Sequence, residues 1–372
     1  MKQNAWMAAK KILCIRLDTL GDVLMTTPAI RAIKNTLPQS HVALLTASQG
    51  AEVAHLVPEV DETLAYDTPW MKATPPRENS RPELDLVAQL REMGFDAAVI
   101  FNVYSQSALP AAFLCYLADI PLRLAHCREN PYQLLTDWVP ERDPDPNTVV
   151  RHEVRRQLDL VASVGYTTQD ETLSLPVNGT ARYRVKKILA AAGVRDGDPW
   201  LVLHAGATAA SRRYPAEHYA AAARTLAMEH GFHIVLTGTE PERETVEFVR
   251  MNMNAPSTSL VGRLDLSELT ALISLAPILI SNNTGPMHIA AAVGTPVVAL
   301  YALTNPQHTP WQVPSLVLFH DVPCRYCYRS TCAEGHHNCL RLVPPGDVVD
   351  AALSLRTYKM LPEKQGAMHF AG

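Results

Sequence analysis

Two glycine-rich signatures are missing from this 372-residue chain. It contains no G-x-G-x-x-G run and no Walker A sequence, which argues against dinucleotide oxidoreductases and P-loop ATPases. No uninterrupted apolar stretch approaches the roughly 18 residues of a membrane span. The opening residues, Met1 to Lys10, hold no long apolar core, so the start does not read as a secretory signal. Lys and Arg number 33 against 37 Asp and Glu, a net charge of −4, with no basic run interleaved with aromatics. Nothing therefore points to nucleic acid. These absences read as a cytoplasmic protein; peripheral contact with the inner face of a membrane is compatible with them but unsupported. What is present is 47% hydrophobic residues over a length that as a prior means about two domains, each able to bury a full core.

The apolar runs are short and alternate with helical periodicity. In the first half, Lys11-Ile12-Leu13-Cys14-Ile15-Arg16 reads as a strand, followed by strands at residues 42–46, 63–66 and 97–101. A helix through 84–91 precedes the last of these. Residues 67–82, with Pro69, Pro75, Pro76 and Pro82, read as an exposed surface loop. Residues 108–118 read as an apolar core helix and 151–165 as another helix. A connection at 175–179 leads to a second alternation, with strands at 200–204, 233–237, 276–280 and 295–300. Such alternation builds parallel sheets, whose ligands bind at the carboxyl ends of the strands.

Two of those ends are distinctive. Ser281-Asn282-Asn283-Thr284-Gly285-Pro286-Met287-His288 joins a buried strand to a helix start, where free backbone N–H groups and the helix dipole suit a phosphate group. Leu17-Asp18-Thr19-Leu20-Gly21-Asp22 ends the first strand. The helix after it carries Ile30, Ile33 and Leu37 at helical spacing. Either Thr27 caps that helix with Pro28 at its first position, or Pro28 kinks a helix begun near Asp22.

The stretch from Arg16 to Ala32 resembles the N-terminal motif of family 9 glycosyltransferases, the heptosyltransferase family. Asn282 to Ala292 is similar to that family's donor-site motif. His204-Ala205-Gly206-Ala207 and Arg212-Arg213-Tyr214-Pro215 resemble its middle motif. The likeness runs in order over residues 11–353. It implies an α/β chain of GT-B architecture, with two Rossmann-like domains whose parallel sheets face each other across a cleft. Residues 1–178 would form the acceptor-side domain and 179–372 the nucleotide-sugar donor domain. It implies inverting transfer of a sugar from a nucleotide diphosphate donor, typically ADP-heptose, to a glycan or glycolipid acceptor, with no metal and no cofactor.

The resemblance also assigns residues. Asp22 matches the catalytic aspartate, the base that an attacking hydroxyl requires; Asp18 is a second candidate. Donor binding falls to Gly206, Ala207, Arg212, Glu240, Leu264, Asn283, Thr284, Gly285 and His288. Arg212 stands where the family usually carries Lys, and its planar guanidinium can grip phosphate oxygens bidentately. Asn283 stands where many members carry Asp. An Asp143-Pro144-Asp145 pair lies in a proline-rich loop and reads as solvated. Cys324, Cys327, Cys332 and Cys339, with His336 and His337 among them, have the density of a metal knuckle but not a common zinc spacing, so a structural metal stays open. Two other readings stay open as well: a GT-B epimerase or hydrolase acting on nucleotide sugars, and a non-catalytic nucleotide-sugar binder.

Overall fold

The computed structural model describes residues 2–71, 74–141, 150–195 and 197–359. The chain divides into two compact units, Met1–Leu175 and Pro176–Gly372. The first holds α1 (Lys2–Met7), β1 (Lys11–Arg16), α2 (Leu20–Thr36), β2 (His41–Thr46), α3 (Ser48–Ala54) and β3 (Glu62–Ala65). These are followed by α4 (Arg81–Met93), β4 (Ala97–Ile100), α5 (Leu109–Leu117), β5 (Leu122–Cys127), β6 (Asp137–Pro140) and α6 (Glu153–Ala162). All its strands are parallel, in the order β3-β2-β1-β4-β5-β6. Strand order reverses between β1 and β4, the place where an open α/β sheet leaves a crevice.

Both faces of this sheet are covered, which is why β1, β2 and β4 are nearly continuous apolar runs rather than alternating ones. Leu13, Ile15, Ala43, Leu45, Ala98 and Ile100 pack on one face against Leu86 and Leu90 of α4 and Ala112 and Cys115 of α5. The sequence left two starts for α2, and the structure decides between them. Thr19 and Asp22 form a capping box at its start, and the helix runs unbroken through Pro28. Pro28 cannot donate to the carbonyl of Leu24, and the Thr27 hydroxyl does so instead at 2.7 Å. The same hydroxyl accepts from the backbone N–H of Ser174 at 2.8 Å.

Among the described residues, 67–82 are mostly exposed, with Pro69, Pro75, Pro76 and Pro82 all at the surface as expected, but the start of the segment is anchored inward. Thr68 is fully buried, and Trp70 and Met71 pack on the core of the first unit. Proline count marked the exposed, irregular part of the segment but not the inward anchoring of Thr68, Trp70 and Met71. The helix read at 108–118 is α5, with Ala111, Ala112, Leu114 and Cys115 buried as expected, while Phe113 and Tyr116 face outward. The Asp143-Pro144-Asp145 pair lies outside the described residues.

The second unit repeats the plan. It comprises α7 (Gly179–Ala191), β7 (Trp200–His204), α8 (Ala216–Met228), β8 (His233–Thr237), α9 (Arg243–Met253), β9 (Ser257–Ser259) and α10 (Leu266–Leu275). Then come β10 (Leu279–Asn282), α11 (Gly285–Val293), β11 (Val297–Leu300), β12 (Ser315–Leu318), α12 (Asn338–Arg341) and α13 (Pro345–Lys359). Its parallel order, β12-β11-β10-β7-β8-β9, is that of the first sheet, with the reversal between β7 and β10. Register places His204 opposite Thr237 on one side and Ser281 on the other, so the polar turns after β7, β8 and β10 lie along one sheet edge. Among the described residues no helix is long and apolar enough to cross a membrane.

Candidate active site

In the first unit the site is built on Arg16, the last residue of β1. Its guanidinium is fully buried and meets three carboxylates: Nε lies 3.1 Å from Asp18, Nη2 3.0 Å from Asp22 and Nη1 2.8 Å from Glu153. Asp22 is held at both oxygens. Oδ1 takes Arg16, and Oδ2 accepts from the Thr19 hydroxyl at 2.9 Å and the Thr19 N–H at 3.3 Å. It also lies in the first turn of α2, where a negative charge meets the positive end of the helix dipole. Asp18 accepts from Gln106 Nε2 at 2.8 Å. Burial pushes the Asp18 carboxyl up to about 6; Arg16 pulls the other way, and Asp22 adds to the rise. Gln106 also lines a largely apolar cavity of about 230 Å³ at the β1/β4 reversal, with Leu17, Trp70, Met71 and Phe101. Trp70 and Met71, from the loop after β3, thus form one wall of this crevice.

In the second unit Asn282, the last residue of β10, organises the edge. Its side-chain N–H2 donates to the carbonyls of Ala205 at 2.8 Å and Gly206 at 3.1 Å. Its oxygen accepts from the Tyr214 N–H and the Tyr219 hydroxyl, both at 3.0 Å. The turn after β7 is therefore fixed to the turn after β10. Asn283 is buried, and Thr284 is the N-cap of α11, with Gly285 at its first position. The following Pro286 has no N–H to offer, so the first-turn donors of α11 are few. Gly294, with φ +74°, ends α11 in the left-handed conformation that suits glycine.

Arg212 sits in a short 3-10 turn, Ala210–Arg212, held in place from outside. Ser211 donates through its N–H to the Ser330 carbonyl at 3.1 Å and through its hydroxyl to the Arg329 carbonyl at 2.8 Å. Arg212 is half-buried near the Tyr301 ring, and its Nε makes no hydrogen bond among the described residues. A cationic donor left open in this way is a ready anion contact.

The two carboxylates after β8 point differently. Glu240 is mostly exposed, paired with Arg243 at 2.6 Å, and bends over Gly262, two residues before the half-buried Leu264. Glu242 turns toward the strand-order reversal. It accepts from the Thr239 N–H at 2.8 Å and hydroxyl at 2.9 Å, lies 3.8 Å from His204 Nε2, and covers Gly206 so closely that a Cβ there would fall 2.1 Å from its carboxyl. His204 bonds the Thr237 hydroxyl at 3.0 Å, and burial holds its ring below the usual histidine range.

A model of glycosyltransferase family 9 (heptosyltransferase) matches residues 84–338, more than half of the chain. The chain belongs to glycosyltransferase family 9. The transferase is 26% identical over 358 residues to lipopolysaccharide heptosyltransferase 2 of Salmonella typhimurium, covering 93% of this chain and 98% of that one. Its fold matches the family 9 glycosyl transferase of Veillonella parvula, with a TM-score of 0.76 at 23% identity, covering 94% and 98% of the two chains. It also matches the E. coli ADP-heptose lps heptosyltransferase II, with a TM-score of 0.71 at 22% identity, covering 94% and 100%. The shared fold is that of GT-B enzymes, two Rossmann-like units with parallel sheets.

Within the transferase, Gly206, Ala207, Asn283, Thr284 and Gly285 gather along the edge of the second sheet, with Arg212 on the loop after β7. His288 is buried one turn into α11. Glu240 and Leu264 lie further out, beyond β8. Sequence reasoning missed Arg16, Gln106, Glu153, Glu242 and the organising role of Asn282. Thr239-x-x-Glu242 carries a capping-box spacing that marked one of them. The four C-terminal cysteines are partly exposed free thiols; the Cys324 sulfur lies 3.8 Å from His336 Nε2. Among the described residues no group of three or more His, Cys, Asp or Glu side chains is placed to hold a metal ion.

Proposed function

We propose that the transferase moves a heptose from ADP-heptose to a lipopolysaccharide core acceptor, with Asp22 as the base. The observation that carries this reading is Asp22 itself, a carboxylate at the end of β1 whose two oxygens are oriented by Arg16 and Thr19. Deprotonating the acceptor hydroxyl as it attacks the anomeric carbon is what an inverting transfer asks of one group. The second unit takes the donor. Arg212 and the start of α11 face the diphosphate, and stabilise the charge that develops on it as the bond to the sugar breaks. They do the work a divalent cation does in metal-dependent transferases. Glu242, aimed over Gly206, is better placed than Glu240 to accept hydrogen bonds from the ribose hydroxyls. Leu264 packs on the adenine, and Asn283 and His288 complete the donor site. ADP-heptose and the lipopolysaccharide acceptor come from the names of the relatives. A cytoplasmic location fits such substrates.

Asp22→Asn is expected to leave donor binding and fold intact and to lower turnover by about two to four orders of magnitude, the usual worth of a general base. Calorimetry with ADP-heptose and transfer assays on truncated lipopolysaccharide cores measure the two quantities. Turnover near that of the parent protein would remove Asp22 from the mechanism.

A further inference from the structure

Arg16 has more anionic partners than orientation of a base requires. An Arg paired with one carboxylate lowers that carboxylate's pKa, and a base so stabilised is weak. Here the third guanidinium nitrogen goes to Glu153, which is fully buried on α6 and 131 residues from Asp22 along the chain. Glu153 is itself oriented by Gln157 Nε2 at 2.7 Å and Arg156 Nη1 at 3.5 Å. Arg156 is in turn held by Glu141, which follows β6, at 2.6 Å, and by the Asn102 carbonyl after β4. Around them lie Arg151, 3.2 Å from Glu141, and His126 of β5, 3.8 Å from the same carboxylate. The groups facing Arg16 are thus Asp18 from the turn, Asp22 from α2, and Glu153, with Arg156 behind it, from α6.

We propose that Glu153 is a positioning residue for the base: by holding the third nitrogen of Arg16 it fixes the guanidinium and draws part of its positive charge away from Asp22. The inference rests on Asp22 being the base. A buried carboxylate is costly unless paired, and a pair this deep is weak evidence of a stabilising purpose, since an apolar filler of equal volume often serves stability as well. The rise of the Asp18 carboxyl comes first from burial, against the pull of Arg16, with Asp22 and Glu153 adding smaller upward contributions that agree with several carboxylates sharing one guanidinium.

The test is the pH profile of turnover in the full-length protein, with ADP-heptose and a truncated lipopolysaccharide core. Glu153→Gln keeps the shape and the Gln157 contact but removes the charge. Arg16 then acts more fully on Asp22, and the acidic limb of the profile is expected to move down by about one pH unit, with turnover at neutral pH lowered and donor KM unchanged. Glu153→Asp keeps the charge but withdraws it from Arg16, and is expected to move the limb the same way by a smaller amount; it stands as the measurement if the Gln variant fails to fold. Lower turnover with an unmoved limb in the folded variants would reduce Glu153 to a structural part and overturn the proposal, as would a parental profile. Asp22→Asn run alongside separates the two readings. If that variant stays active the base assignment fails, whereas if it is inactive and the Glu153 limb stays put only the present inference fails.

Discussion

At the scale of single residues, the first unit buries titratable groups where water does not reach, and His126 is one that stays neutral there. Burial, with Arg156 adding to it, pushes its pKa down to about 4 from an ordinary value near 6.5. A histidine kept neutral in the folded state contributes stability that is present above its unfolded pKa and is lost as pH falls from about 6.5 through 4. The loss is on the order of 3 kcal/mol over that window. His126→Gln retains a donor for the Arg156 carbonyl, now met at 2.9 Å, but does not titrate. Urea denaturation at pH 7 and pH 4.5 should show a smaller acid loss in the variant; equal losses would contradict the assignment. Gly206 tests a different residue. Its φ is not in the left-handed region, so alanine costs the backbone little, but the new Cβ displaces Glu242. ADP affinity in Gly206→Ala should fall about tenfold or more, the worth of a hydrogen bond to a charged group. Parental affinity, read by calorimetry, would take Glu242 out of the donor site.

At the scale of elements, both halves of the site are strand-to-helix turns secured by a side chain rather than by backbone alone. α2 depends on Thr27. One hydroxyl serves the Leu24 carbonyl that Pro28 strands and the Ser174 N–H that ties the end of the first unit to the helix. Thr27→Val has the same shape and removes both bonds in a fully buried place, so two backbone groups lose a partner. A cost of about 1–3 kcal/mol follows, because an unsatisfied buried polar group pays its desolvation in full. Chemical denaturation with unchanged m-value checks it; a loss below about half a kcal/mol would mean that water or the helix itself compensates. Asn282 plays the corresponding part in the second unit, joining β10 to the His204–Gly206 turn with every donor and acceptor of its amide used.

At the scale of the whole molecule, the same six-strand order appears twice, and each unit has its own core. A fragment of residues 176–372 is therefore expected to fold alone and, on the proposed donor site, to bind ADP about tenfold or more tightly than AMP, since Arg212 and the start of α11 would act on the second phosphate. Arg212→Ala should erase most of that preference. Circular dichroism establishes the fold of the fragment and calorimetry the two affinities; equal affinities for ADP and AMP would refute the donor site as drawn.

The sequence by itself determined the alternation that makes two parallel sheets, because short apolar runs buried on both faces and helical spacing between them are local properties. It also put Asp22 and the Asn283–Gly285 turn at strand-to-helix junctions, since strand ends and helix starts are marked by their own residues, whereas the roles proposed for Asp22 and Arg212 came from the family resemblance. It could not start α2, because choosing Thr19 over Thr27 depends on whether the carbonyl stranded by Pro28 finds another donor. Nor could it distinguish Glu240 from Glu242. Two carboxylates two residues apart differ only in which way the short helical turn aims them, one to solvent and Arg243, the other over Gly206. The partnership of Arg16 with Glu153, the burial of Thr68 and the packing of Trp70 on the core were decided by the tertiary structure alone. These contacts join segments far apart in the chain, and no local pattern records which charge a buried guanidinium will meet once the sheet has closed around it.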